Sequence, residues 1–372
     1  MGPGLYVHVP FCVRKCAYCA FFSRPVEWGP VQAWLEGIEK EFQTLPDSFA
    51  PDTVFIGGGT PTVLDAGDLE RLLESLRSKA PSGSDCYNVR ADPFWEWTCE
   101  VNPGTLTADK ARLLRAAGVN RISIGVQSFH DDVLRRLGRC HSAQDARQCV
   151  EVARAAGFDN LNLDLIYGVP GVERATFQAD VEAALELQPD HLSGYCLEIE
   201  AGTPFAKASA QGRLTADPQE QRSQFDWLRR RLSQAGFIHY EVSNFARPGR
   251  ECRHNRLYWS GGSYIGMGPA AHSHWEGLRW GNTATLPEWK REFEELLCPE
   301  AKARETLVMG LRRLDGWSRA EFQAATGFDY DQLSGDALAQ LESKGWLVRD
   351  PDRIRLDEGA LFISDSVFVE LV

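Results

Sequence analysis

The feature that most limits the fold is an alternation of apolar strands and amphipathic helices between residues 5 and 235. Apolar residues recur every three to four positions in each predicted helix. Strands that alternate with helices pair in parallel, so the pattern predicts a parallel sheet covered by helices, either open or curved into a barrel. Strands are predicted at 5–9, 53–56, 97–101, 121–126, 161–166 and 191–197, and helices near 32–45, 68–79, 108–117, 143–156, 175–187 and 219–235.

Three predicted helices end in a glycine that is followed at once by a new strand: Gly118, Gly157 and Gly236. Glycine commonly takes the left-handed conformation at a helix end. Polar residues follow several of the strands, and a barrel brings all of those strand ends to one site. We therefore predict an α/β fold with a partial (β/α) barrel of the TIM type.

The chain changes character after residue 300. Ser318 and Glu321 form a capping-box pattern that opens one helix. A second helix is predicted to end near Gly345, and two short strands follow at 346–348 and 354–356. This order resembles a small winged-helix module. Residues 301–372 carry 13 acidic and 9 basic side chains, which favours a lid or docking module over a DNA-binding one.

The predicted domains are therefore a barrel over residues 1–245, a connecting segment over 246–300 and a winged-helix-like domain over 301–372.

A net charge of −12 argues against a nucleic-acid partner. No apolar run reaches the roughly 18 residues of a membrane span, and the N-terminus lacks a signal-peptide pattern. Seven cysteines are scattered singly, which is not a disulfide framework. These features predict a cytoplasmic protein. The scattered cysteines are at positions 86, 99, 140, 149, 196, 252 and 298.

The other three cysteines, Cys12, Cys16 and Cys19, lie together directly after the first predicted strand. Structural zinc and ferredoxin clusters both take four ligands, and only a site completed by His8 would supply a fourth here. Three thiolates on a cubane cluster leave one iron open, as catalytic metal sites do. Three buried thiols are the alternative interpretation.

The C-x3-C-x2-C spacing after a first strand is similar to that of the radical S-adenosylmethionine (SAM) family. The resemblance implies a 4Fe–4S cluster on Cys12, Cys16 and Cys19, with the amino and carboxylate groups of SAM on the open iron. It also implies that the partial barrel is of the radical SAM type. In that family, reduction of the cluster can release a 5′-deoxyadenosyl radical from SAM.

Polar residues and glycines at the strand ends fit a SAM pocket. The glycine turn before Thr60 lets the backbone approach a ligand, and in the family such a turn binds the amino group of SAM. Arg139 could pair with a carboxylate. Each acidic side chain could instead be a solvated loop charge or a helix cap. The predicted SAM residues are Tyr6, Tyr18, Gly58, Gly59, Thr60, Glu100, Gln127, Arg139 and Asp164.

Further motifs resemble the branch that contains oxygen-independent coproporphyrinogen III oxidase and the HemW haem chaperones. They are FIGGGTPT, EVNP, SIGVQSF, LDLIYGVPG and HYEVSNFA. The oxidase has a fourth cysteine where this chain has Phe21, and it has a long extension before the cluster. HNRLYW, from His254 to Trp259, matches the HNxxYW motif associated with haem binding in the chaperones.

The resemblance implies that the protein binds haem and passes it to an acceptor, such as a respiratory-chain haem protein. An electron donor such as flavodoxin or ferredoxin is then expected as a partner. Imidazole is a good haem-iron ligand, so His254 is the predicted haem residue. A buried, hydrogen-bonded histidine beside core aromatics is the alternative, and Cys252, His272 and His274 are then the next candidate ligands.

The functional prediction is thus a haem chaperone that uses a radical-SAM-type cluster and SAM. The alternative is an enzyme of porphyrin biosynthesis that decarboxylates coproporphyrinogen to protoporphyrinogen. Phe21, the short N-terminal segment and the intact HNxxYW motif favour the chaperone.

Overall fold

The computed structural model describes residues 2–77 and 95–371; Cys86 lies outside them. The strands are β1 Gly4–Val9, β2 Phe11–Cys12, β3 Arg24–Pro25, β4 Thr53–Gly58, β5 Glu96–Val101, β6 Arg121–Gln127, β7 Leu161–Tyr167, β8 His191–Cys196, β9 Ile238–Glu241, β10 Asn244–Ala246, β11 Tyr264–Met267, β12 His272–Trp275, β13 Leu278–Asn282, β14 Arg291–Leu296, β15 Trp317–Ser318, β16 Leu347–Arg349 and β17 Arg353–Leu356.

The helices alternate with the strands of the first half and dominate the end of the chain. They are α1 Val31–Gln43, α2 Ala66–Arg77, α3 Ala108–Ala117, α4 Asp131–Leu137, α5 Ala143–Ala155, α6 Arg174–Glu186, α7 Pro204–Ala210, α8 Pro218–Gln234, α9 Arg253–Trp259, α10 Pro299–Gly310, α11 Arg319–Thr326, α12 Tyr330–Ser343 and α13 Ser364–Val369, with 3-10 turns at Val26–Trp28, Pro61–Val63 and Glu358–Ile363. Within residues 2–77 and 95–371, no helix is both long and apolar enough to cross a bilayer.

The centre of the main sheet is parallel, in the order β11, β1, β4, β5, β6, β7, β8. Antiparallel strands extend it at both sides, with β12, β13 and β14 beyond β11, and β10 and β9 beyond β8. The two outermost parallel strands therefore pair with these flanking strands and not with each other. The predicted α/β fold with a partial barrel is confirmed.

The side chains of β1 point alternately to the hydrophobic core outside the barrel and to the inside of the barrel. Leu5, Val7 and Val9 are fully buried in the cluster that includes Trp34 of α1. Successive side chains of a strand point to opposite faces, so Tyr6 and His8 lie on the inner face. The predicted glycine cap at the end of α3 is confirmed, because Gly118 has φ of 110°.

Residues 264–296 form four strands where the sequence predicted a connecting segment. β11 runs parallel to β1, with Tyr264 opposite Gly4. Because the two strands are far apart in sequence, no local pattern indicates that they pair. The domain boundaries proposed from the sequence stay a prediction.

The C-terminal region contains a separate three-stranded sheet in the order β15, β17, β16, beside α10 to α12. The predicted capping box holds in part, since the Ser318 hydroxyl accepts a hydrogen bond from the backbone N–H of Glu321. The backbone N–H of Val242 donates to the carbonyl of Arg312, so this region is joined to the end of β9. The region thereby lies at the edge of the barrel.

Candidate functional site

The three clustered cysteines lie on a loop that is fixed by backbone hydrogen bonds. The N–H of Thr60 donates to the carbonyl of Phe11, just before Cys12, over 2.7 Å. The N–H of Ala17 donates to the carbonyl of Leu137, the last residue of α4. The loop is therefore held between the carboxyl end of β4 and the end of α4, and its cysteines are partly exposed.

Cys12, Cys16 and Cys19 line one cavity with a volume of about 680 Å³. In the described part of the chain, no three His, Cys, Asp or Glu side chains converge on a single metal ion. A cubane cluster does not require convergence, because each thiolate binds a different iron. His8 does not complete a zinc site, since its ring nitrogens lie 3.0 Å from the Tyr6 hydroxyl and 2.8 Å from the Phe22 carbonyl.

The electrostatic surroundings of the cysteines suit bound thiolates. Burial raises the pKa of the Cys12 and Cys19 thiols, while a hydrogen bond from Thr60 favours the Cys12 thiolate. Nη1 of Arg139 lies 3.5 Å from the Sγ atom of Cys16. These donors stabilise negative sulfur, so the residues present fit a cluster held by three thiolates.

The structure brings most of the predicted SAM residues to the cysteine cavity. Tyr6 is the exception, because its hydroxyl contacts His8 inside the barrel and it does not line the cavity. The lining includes Tyr18, Gly58, Gly59, Thr60, Glu100, Gln127, Arg139 and Asp164.

The glycine turn after β4 depends on the absence of side chains. Gly58 has φ of 93°, and its N–H donates to Oε2 of Glu100 over 3.0 Å. A Cβ atom on Gly58 would lie 2.3 Å from Nδ1 of His8, and one on Gly57 would lie 2.6 Å from Oε2 of Glu100. Since real Cβ contacts are never this close, larger residues would displace the Glu100 carboxylate or His8.

Two half-buried carboxylates, Glu100 and Asp164, line the cavity. Burial, and then the charge of Asp164, raise the pKa of Glu100 to about 7. Burial also raises the pKa of Asp164, opposed in part by a hydrogen bond from Asn162. A cationic ligand would relieve the repulsion between these two carboxylates. The pair therefore suits a ligand that carries an amine or a sulfonium and hydroxyl groups.

Gln127 is presented to the cavity by an unusual backbone conformation. Its φ is 69°, rare for a residue other than glycine, and its Oε1 atom is buried without a hydrogen-bond partner among the described residues. Asp180 of α6 holds the following turn, accepting hydrogen bonds from the Ser128 hydroxyl and the Phe129 N–H and pairing with His130. Sequence reasoning missed Asp180, although a carboxylate on the buried face of α6 was a detectable signal.

His254 lies apart from this cavity. Its Nδ1 atom is 2.8 Å from Oγ1 of Thr53, and its Nε2 atom is 2.9 Å from the hydroxyl of Tyr258. Its backbone N–H donates to Oε1 of Glu96. Thr53 and Glu96 begin β4 and β5, whereas the cysteines follow the carboxyl end of β1. The imidazole is 1% exposed, and burial lowers its pKa to about 3, so it is neutral. Its role in haem binding stays a prediction.

The three alternative haem ligands have different surroundings. Cys252 is buried, with its thiol 3.5 Å from Oε1 of Glu96. His274 is half-buried, and no partner for its Nε2 atom is found in the described residues. His272 is exposed on β12. Of the three, His272 is the most exposed to solvent.

The cavity continues away from the cysteines toward the C-terminal region. This part is lined by aromatic and aliphatic side chains together with the guanidinium of Arg312. Arg312 lies 4.6 Å from the ring of Trp259, the last residue of the HNxxYW motif. The motif therefore touches a cavity-lining residue through its tryptophan. The apolar lining includes Tyr195, Leu197, Phe225, Val242, Leu361 and Phe362.

Comparisons with known proteins place these features in context. The model of the radical SAM superfamily matches residues 6–184, and that of the HemN C-terminal domain matches residues 297–363. The chain is 34% identical to the haem chaperone HemW of Bacillus subtilis, over 98% of this chain and 97% of that protein. It is also 34% identical to the haem chaperone HemW of Escherichia coli, over 97% and 96%.

A solved structure shares the fold over the whole chain. Coproporphyrinogen III oxidase (HemN) from Escherichia coli, a radical SAM enzyme, superimposes with a TM-score of 0.82. The match covers 100% of this chain and 90% of that one at 23% sequence identity. At this identity the likeness establishes the architecture and leaves the activity open.

Proposed function

Because the chain belongs to the HemW family of the radical SAM superfamily, we propose that it binds haem and transfers it to an acceptor haem protein. The observation that carries the proposal is the match to haem chaperones over nearly the full length of both chains. The proposal includes a 4Fe–4S cluster, SAM, a cytoplasmic location, and an electron donor such as flavodoxin or ferredoxin.

In this proposal, Cys12, Cys16 and Cys19 hold three irons of the cluster. The chemistry that a bound cluster would supply there is one-electron reduction of SAM. The chain's own groups would orient the SAM molecule. The carboxylates of Glu100 and Asp164 would attract its positive charge, and an N–H of Arg139 other than those that contact Cys16, Asn102 and Gly125 would donate to its carboxylate. Their shared position in one cavity supports this assignment.

Haem ligation by His254 requires a local change. A ring nitrogen that is engaged in a hydrogen bond is not available to iron, and both nitrogens of His254 are engaged. The Tyr258 hydroxyl would have to leave Nε2 before that atom could bind iron. His272 needs no such change, because it is exposed. His254 is the proposed ligand of the haem iron, and His272 is the alternative.

The alternative function is oxidative decarboxylation of coproporphyrinogen. The specific observation in its favour is the agreement in fold with HemN over the whole chain. Phe21 opposes it, because the side chain at the position of the oxidase's fourth cysteine is apolar and 67% exposed.

The proposed function is tested by haem titration and transfer. The anaerobically reconstituted protein should bind about one haem, followed by absorbance, and should release it to an apo-haem protein such as apomyoglobin. His254→Ala should change the haem spectrum, and His272→Ala should not. A change only in His272→Ala would move the ligand to β12. Absence of haem binding in the wild type would refute the proposal.

A further inference from the structure

Asn102 follows β5 and lies between Arg139 and Thr60, two side chains that approach the cysteine sulfurs. Its Oδ1 atom accepts a hydrogen bond from Nη2 of Arg139, and its Nδ2 atom donates to Oγ1 of Thr60 over 2.5 Å. A guanidinium has only donors, so the amide oxygen must face Arg139 and the amide nitrogen must face Thr60. The two neighbours thereby fix the orientation of the amide.

Each neighbour of Asn102 contacts a different cysteine. The Thr60 oxygen already accepts from Asn102, which leaves its single hydrogen to donate to Sγ of Cys12, 3.7 Å away. Nη1 of Arg139 donates to Sγ of Cys16 over 3.5 Å. One amide group therefore orients hydrogen-bond donors toward two of the three cluster sulfurs.

Further contacts support this arrangement. The carbonyl of Gly125 accepts a second hydrogen bond from Nη2 of Arg139 over 2.5 Å. A Cβ atom on Gly125 would lie 2.7 Å from Oδ1 of Asn102. The Thr105 hydroxyl donates to the backbone carbonyl of Asn102 over 2.7 Å, and Thr60 is 2% exposed. These contacts hold Asn102, Thr60 and Arg139 together on the wall of the cavity, which all three line.

We propose that Asn102 is a positioning residue that sets the reduction potential of the cluster through Thr60 and Arg139. Hydrogen bonds to ligand sulfurs stabilise the extra negative charge of the reduced cluster, so they raise its midpoint potential. The inference rests on the cluster assigned under the proposed function, and it does not depend on haem transfer.

The test compares midpoint potentials by anaerobic redox titration, with iron content measured for each preparation. Asn102→Asp keeps the shape but cannot donate to Thr60, whose hydroxyl would then donate to the new carboxylate and leave Cys12. Thr60→Val removes the donor, and Thr60→Ser keeps it as the matched control. Asn102→Asp is also made in the Thr60→Val background, where no hydroxyl donates to Cys12. The added negative charge lowers the potential in both backgrounds, so any larger shift in the wild-type background measures the lost hydrogen bond from Thr60 to Cys12.

We expect the potential to become more negative in Thr60→Val and to stay near the wild-type value in Thr60→Ser. Asn102→Asp should lower the potential more in the wild-type background than in the Thr60→Val background. An unchanged potential in Thr60→Val, or equal shifts from Asn102→Asp in both backgrounds, would overturn the inference. If Asn102→Asp loses its iron, Asn102→Ala takes its place: it removes both amide contacts, so a potential equal to that of the wild type would overturn the inference. A wild-type protein that holds a cluster but transfers no haem refutes only the chaperone function, whereas one that transfers haem but holds no cluster refutes only this inference.

Discussion

The Nδ1 atom of His254 lies 2.8 Å from Oγ1 of Thr53, so the HNxxYW motif is tied to the first residue of β4. Glu96, the first residue of β5, accepts hydrogen bonds from the backbone N–H groups of Arg253 and His254. Helix α9 is thereby fixed at the amino-terminal ends of two barrel strands, opposite to the cysteine loop. The proposed haem ligation by His254 and its packing as a core histidine thus make different demands on the same residue.

The first prediction concerns this structural role. His254→Ala should destabilise the cluster-free protein by about 2–4 kcal/mol, because it leaves a cavity and removes hydrogen-bond partners from Thr53 and Tyr258. His272→Ala, at an exposed position, should change the free energy of unfolding by less than about 0.5 kcal/mol. Chemical denaturation measures both. Equal stabilities of the two variants would mean that the His254 network contributes little.

The second prediction concerns the cluster. Cys16→Ala should lose stoichiometric cluster iron after anaerobic reconstitution, because one of three thiolate ligands is gone. Cys298→Ala is the control, since Cys298 is exposed just before α10 and does not line the cavity. Iron and sulfide analysis gives the result. A full iron complement in Cys16→Ala would contradict the assignment.

The third prediction concerns SAM affinity. Glu100→Ala and Asp164→Ala should each weaken SAM binding by about 1–3 kcal/mol with the cluster absorbance unchanged, because each removes a charged hydrogen-bonding group. Isothermal titration calorimetry of the reconstituted proteins measures this. Unchanged affinity in both variants would show that the carboxylates are structural.

The Glu100 carboxylate should also make SAM binding depend on pH. Because burial raises the pKa of Glu100 to about 7, this group is protonated at pH 6 and largely ionised at pH 8. A cationic ligand binds the ionised form better, so affinity should fall as the pH is lowered from 8 to 6. The fall should be smaller in Glu100→Gln, and identical pH profiles would exclude Glu100 as the titrating group.

The fourth prediction concerns Glu241 of β9, a carboxylate that is buried in the structure. Burial raises its pKa to about 7, above its usual value of 4.5. A raised carboxyl pKa contributes stability below pH 4.5, and this contribution is lost as the pH rises through 7. Glu241→Gln should therefore be stabilised relative to the wild type at pH 8, by up to the order of 3 kcal/mol, but not at pH 4.5.

Thermal or chemical unfolding at the two pH values tests the Glu241 prediction. Glu292→Gln is the matched control, because Glu292 is exposed on β14 and should show no difference between the two conditions. If Glu241→Gln were less stable than the wild type at pH 8, the attraction of Arg312 for the carboxylate would outweigh its burial.

The alternation of strands and helices was predictable because the spacing of apolar residues along the chain differs between the two. The cavity residues were predictable in part for the same reason, since Glu100 and Asp164 lie at or near the ends of apolar strands. Asn102 and Asp180 were missed because their roles depend on neighbours distant in sequence. Asn102 acts between Thr60 and Arg139, and Asp180 holds a turn that lies one strand away.

The pairing of the strands from residue 264 onward and the contacts of His254 could not be predicted from short stretches of sequence, because both depend on distant residues. β11 pairs with β1 from the other end of the chain, so neither strand alone indicates the contact. The HNxxYW motif supplied the residue types, but only the packing against Thr53 and Tyr258 shows that both imidazole nitrogens are engaged.

Under the proposed function, the protein carries haem and does not act on a porphyrinogen. One anaerobic preparation with a reconstituted cluster tests it most directly, supplied with reductant, SAM and coproporphyrinogen, with released carbon dioxide measured and haem binding determined in parallel. We expect about one haem bound per chain, unconsumed, and no carbon dioxide above the level of the Cys16→Ala protein. Carbon dioxide release at an enzyme-like rate, abolished in Cys16→Ala, would contradict the account and identify the protein as an oxidase.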